Sequence, residues 1–202
     1  MIFLLLNAGL LSFIFFFFGN NSGNFLLPAA LISMAFLLFL YYTFRSYQVR
    51  LRRKIDEPMK IALAAVVMMG FPLVVLFCLV YLLNTTALTG KLALLYGFFI
   101  FFGWLTMIIL GMTFKTLPFI IWNKTYHSEM GLKPLPGPQQ LFSKGLFRMM
   151  FIFYVPGFVL FIIAVAVSSP LLIRVASGML ILAAIFYNWN VLKLIFHKAP
   201  VK

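Results

Sequence analysis

Apolar residues in this chain run in six long blocks, and the polar residues gather in the gaps between them. A helix needs about 20 predominantly apolar residues to cross a hydrocarbon core roughly 30 Å thick, and the blocks are close to that length or beyond it. They predict spans at about residues 1–18, 25–44, 61–83, 92–113, 146–167 and 171–196. The turn-forming cluster at 19–24, the polar loop at 84–90 and Ser168-Ser169-Pro170 are short enough to be hairpin connections. Two connections are longer, at 45–60 and 114–145, and the second holds the proline-rich stretch Lys133-Pro134-Leu135-Pro136-Gly137-Pro138, which stops a helix. The predicted fold class is therefore all-α, a polytopic membrane protein forming one transmembrane domain over 1–202 as a bundle of six transmembrane helices.

Charge orients the bundle. Lys and Arg collect beside the spans, and cytoplasmic loops carry the excess of such residues. Placing 45–60 and 115–148 inside, with the C-terminal end, puts 14 of the 16 basic residues on the cytoplasmic side and leaves Lys91 and Arg174 outside. Both termini are then cytoplasmic, as an even number of spans requires. Tyr41, Tyr42 and Tyr47 close the second block as amphipathic rings suited to headgroup level. Pro72 and Pro156-Gly157 fall inside blocks and predict kinks, because proline removes a backbone donor.

Composition agrees and narrows the chemistry. Hydrophobic residues make up 64% of 202 and charged residues 9%, against about 25% charged in a soluble domain. A net charge of +13 raises nucleic acid as a partner, but cytoplasmic retention explains basic residues that flank spans, so the partners expected are the lipid bilayer, with its anionic headgroups, and other membrane subunits. The single cysteine, Cys78, leaves no intrachain disulfide and no cysteine cluster. Ionisable groups at mid-membrane depth are costly and mark function. The acids Asp56, Glu57 and Glu129 and the histidines His127 and His197 all fall outside the predicted spans. No catalytic residue and no metal ligand is predicted, and no cofactor from this chain alone. A haem or quinone enters only if a partner shares it. Asn7, Asn188 and Asn190 lie within spans and are expected to hydrogen-bond between helices.

The clearest internal pattern lies on the fourth block. Gly97, Trp104 and Gly111 recur every seven residues, the phase continues to Pro118, and Met107 and Lys115 fall beside the line. Small residues let helices approach closely and an indole N–H needs a polar partner, so the stripe is expected to face protein. Packing is the plain reading, and a cofactor or quinone groove the sharper one. Lys115 is 23 residues past Leu92, about 35 Å along a helix, which sets it near the inner interface, where it can snorkel or meet an anionic lipid or cofactor carboxylate.

Residues 96–141 also carry Gly103-Trp104, then Gly111-Met112, Lys115 and Pro118-Phe119, then Trp122, Pro134 and Pro136. This resembles a segment of bacterial membrane proteins related to haem–copper oxidase subunit I, and Lys54-Ile55-Asp56 with Pro58-Met59 is similar to that group's basic connection. The resemblance covers about half of the chain. It implies a bacterial cytoplasmic membrane, relatives about twice this length, and metal-liganding histidines in an earlier bundle that this chain lacks. The chain then looks like a C-terminal half, as a separate subunit or as a portion of a longer polypeptide. Gly97, Gly103, Trp104, Met107, Gly111, Lys115, Pro118 and Trp122 are the candidate packing or pocket-lining residues.

Three functions follow as expectations. The leading one is a non-catalytic membrane subunit or accessory of a larger, respiratory assembly. The alternative is a small transporter or channel. The third is an oxidase-like haem protein whose ligands lie on another chain or a missing half.

Overall fold

A computed structural model describes residues 1–19, 25–49, 56–81, 86–127 and 135–197. Among these residues every regular element is helical. The turn cluster at 20–24, the basic run at 50–55, the segment 82–85 with Asn84, the stretch 128–134 with Glu129 and Lys133, and the tail at 198–202 lie outside the described residues. Helices are what these apolar blocks must form, since lipid offers backbone N–H and C=O groups no partner and a helix satisfies them within one segment.

Five helices are long and apolar enough to cross a membrane: Leu26–Gln48, Glu57–Leu79, Thr89–Tyr126, Lys144–Val167 and Pro170–Ile195. The chain is a multi-pass membrane protein. The first block forms a shorter apolar helix, α1 (Ile2–Phe18), of 17 residues, which at 1.5 Å per residue is about 26 Å long.

The chain divides into two compact units, Met1–Ile55 with Leu63–Leu105, and Asp56–Ala62 with Thr106–Lys202. In the first unit α1 pairs with α2 (Leu26–Gln48). Gly9 lets them close: a Cβ there would stand 2.7 Å from Ile32 Cγ1. The third block is two helices, α3 (Glu57–Met68) and α4 (Gly70–Tyr81), separated at Met69. Pro72 explains the place of the break, because its ring excludes the carbonyl four residues back, that of Met68. α5 (Thr86–Phe98) packs on α4 and runs into a π-helical segment, Phe99–Thr106.

In the second unit α6 (Met107–Tyr126) continues that same helix, a 3₁₀ turn at Pro138–Gln140 lies against it, and α7 (Lys144–Val167) pairs closely with α8 (Pro170–Ile195). Its core gathers Leu110, Phe114, Phe142, Phe147, Met150, Tyr154, Ala183 and Leu194. Phe114 is the hub, 1% exposed, with its ring 5.2 Å from Phe147 and 5.7 Å from Tyr187 edge to face, and 5.5 Å from Phe142. Each such pair adds about 0.5–1.5 kcal/mol beyond area burial. The α7–α8 hairpin turns on Ser168, at φ 57° in the left-handed region. Ser168 N–H donates to Val165 and Ser169 N–H to Ala164, the paired bonds of a Schellman cap, and Pro170 then opens α8 where its missing N–H costs nothing.

Two expectations are corrected. The connection predicted from 114 is helical as far as Tyr126, because Pro118 does not stop α6: it sits inside the helix, fully buried. Residues 86–90, read as loop, are the first turn of α5. Pro156, in contrast to Pro72, lies inside a helix that is continuous from Lys144 to Val167. The resulting helix Thr89–Tyr126 has 38 residues, about 57 Å, more than the 40–45 Å of a bilayer with its headgroups, so it tilts or projects from the membrane.

Candidate functional site

The stripe read from the fourth block is split by the fold. Seven residues of α-helix return to within about 20° of the starting face. Between Gly97 and Trp104, however, most steps belong to the π-helical segment, whose i→i+5 bonding turns the chain less per residue. Phase is lost there. Gly97 is half-buried and a Cβ on it would meet nothing within 4 Å. Gly103 is buried and Trp104 half-buried, both in the first unit.

The second unit keeps the rest of the stripe. A Cβ on Gly111 would stand 2.8 Å from Pro58 O and 2.9 Å from Ala62 N, so α6 crosses the start of α3 backbone to backbone. Only glycine allows that approach. Met107 packs against the aromatic core. Lys115 reaches across the same crossing and its Nζ donates to Met59 Sδ at 3.1 Å. Trp122 Nε1–H donates to Pro136 O at 2.6 Å, tying the end of α6 to the proline-rich segment.

Pro118 and Lys115 then open onto a cleft of about 640 Å³. Asp56 just before α3 and Pro58 in its first turn line it, with Phe114 and Phe119 from α6, Gly137 to Gln140 from the 3₁₀ turn, and Lys144 from the first position of α7. Two ammonium groups, one carboxylate and two carboxamides thus face an apolar wall. These groups can hold an anion or a hydrogen-bonding headgroup. Two of the cleft's residues, Lys115 and Pro118, were among the sequence candidates. Asp56, Gln139, Gln140 and Lys144 were missed as site residues because they lie on segments far apart in the chain.

One polar clamp positions this end of the unit. Asn190 is 0% exposed, accepts from Ser143 N–H at 3.0 Å through Oδ1 and donates to Ser143 O at 3.0 Å through Nδ2. Ser143 Oγ in turn accepts from Leu146 N–H at 3.5 Å, so the cap of α7 is fixed from α8. Of the three asparagines expected to bridge helices, this one bonds outside its own helix. Asn7 donates to Phe3 O and Asn188 to Ala184 O within theirs, both at 2.8 Å. Nearby, buried Tyr126 OH and His197 Nε2 lie 3.0 Å apart, joining the ends of α6 and α8, while His127 is exposed.

The first unit holds a groove of about 410 Å³ between α2 and α4, lined by Ser33, Phe36, Phe71 and Phe77 among others. Its one hydroxyl, that of Ser33, already donates to Ala29 O at 2.7 Å. No family model, no curated protein and no solved structure matches the chain. The oxidase-like resemblance of 96–141 therefore rests on the residues quoted for it.

Proposed function

We propose that this chain is a six-span, non-catalytic subunit or accessory of a larger assembly in a bacterial cytoplasmic membrane, with both termini inside. The observation that carries the reading is the outer face of α8. Only 11% of its apolar stretch is buried within the chain, the least of the five long helices. Gly178 on that face is exposed, with nothing within 4 Å of a Cβ placed there. A glycine that no internal neighbour requires lowers helix propensity by about 1 kcal/mol without return, unless another helix packs there as small residues allow. Trp189, 65% exposed on the same helix, adds a large ring for such a contact. The resemblance of 96–141 favours a respiratory partner, and any haem or quinone is then shared with that partner.

Gentle detergent extraction followed by native mass measurement tests this. A heteromeric assembly is expected, and Gly178→Leu should weaken it while the isolated chain melts no lower and is up to about 1 kcal/mol more stable. A lone monomer or a homo-oligomer refutes the subunit reading. A small transporter or channel is the second reading, favoured by one arrangement: the break at Met69 and the π-helical segment are neighbours, with Phe71 stacked on Phe99 at 5.5 Å and 12° between planes. Discontinuous helices of this kind line transport sites. Solute flux into proteoliposomes holding the chain alone would favour that reading instead.

A further inference from the structure

The cleft of the second unit combines features that suit one class of ligand. Lys115 lies 26 residues past Thr89 in a continuous helix, about 39 Å along it, which is headgroup depth for a helix entering from the far side. Lys144 begins α7, so it stands where that helix meets the same interface. The first-turn N–H groups of α7 have no acceptor within the helix and give its start a partial positive charge. Phe114, Pro118 and Phe119 supply an apolar wall beside these groups. Positive charge and a helix start at headgroup level, with an apolar wall beside them, complement a phosphate that carries acyl chains.

We propose that this cleft binds the phosphodiester headgroup of an anionic phospholipid, with Lys115 and Lys144 contacting the phosphate and Gln139 and Gln140 the glycerol or headgroup hydroxyls. Asp56, which lines the same cleft, limits the site to one anionic group, since a second would meet a like charge. Lys115 exchanges its contact with Met59 Sδ for the phosphate oxygen, a stronger acceptor for an ammonium. The site rests on the membrane-embedded reading but not on a protein partner, so it stands or falls separately from the subunit assignment.

The purified full chain in mild detergent is titrated with short-chain phosphatidylglycerol, phosphatidylcholine or inorganic phosphate, and bound lipid is counted by native mass spectrometry. One phosphatidylglycerol is expected to bind at least about tenfold more tightly than phosphatidylcholine, the equivalent of about 1.4 kcal/mol. Lys115→Gln and Lys144→Gln should each erase most of that preference, and Arg174→Gln, on the opposite end, should leave it. Asp56→Asn should tighten binding several-fold, a gain that misfolding does not produce. Equal binding of the two lipids, equal loss in Arg174→Gln, or no gain in Asp56→Asn would overturn the site. Competition by inorganic phosphate at matched concentration would reassign it to a soluble anion.

Discussion

Gly97 and Gly111 look alike in the chain and should respond oppositely to the same methyl group. At Gly111 an added Cβ falls 2.8 Å from Pro58 O and 2.9 Å from Ala62 N, both backbone atoms that no rotamer change can move. Ordinary contact lies near 3.5 Å, so α6 and the start of α3 must separate by roughly 0.6 Å, and overpacking of this kind costs about 1–3 kcal/mol. Alanine's better helix propensity returns up to about 1 kcal/mol. Gly111→Ala should therefore destabilise by roughly 1–2 kcal/mol. At Gly97 only the propensity gain operates, because nothing lies within 4 Å, and Gly97→Ala should be neutral or stabilising by up to about 1 kcal/mol. Denaturation of the full chain in mixed micelles, followed by circular dichroism, reads both on one scale. Equal effects, or a larger loss at Gly97, would refute the argument that the π-helical segment splits the stripe.

Asn190→Leu should destabilise by roughly 1–3 kcal/mol, because it takes the acceptor from the half-buried N–H of Ser143, leaves Ser143 O with the Phe147 N–H alone, and loosens the start of α7. Asn188→Leu should change the same denaturation midpoint little, since its amide serves only its own helix. Phe114→Ala removes the ring at the centre of the aromatic cluster and should cost about 3–5 kcal/mol, which is visible as a large midpoint shift. Trp122→Phe keeps the ring but loses the bond to Pro136 O, and a loss of about 0.5–1.5 kcal/mol is expected.

The long α6 shows why element bounds were the weaker part of the sequence reading. Pro118 is a stop signal in water, where the freed carbonyl and the ring clash have no compensation. Here Pro118 is fully buried against neighbouring segments, whose packing compensates, so the helix runs on to Tyr126. Pro72 behaved as the local rule says, since its block breaks at Met69.

What could be read from residue order alone was set by the solvent. Lipid selects for length and apolarity, which are properties of contiguous stretches, so the apolar blocks, the all-helical class and the multi-pass character were legible before any contact was known. The cleft was not, because Asp56, Lys115, Gln139 and Lys144 come together only when α6 crosses α3 and the 3₁₀ turn folds back on α6. Equally, only packing separates Asn190 from Asn188 and Gly111 from Gly97. Spacing fixes the angle between side chains on an ideal helix, but which neighbour occupies that angle, and whether the winding stays ideal on the way, is settled by the other helices.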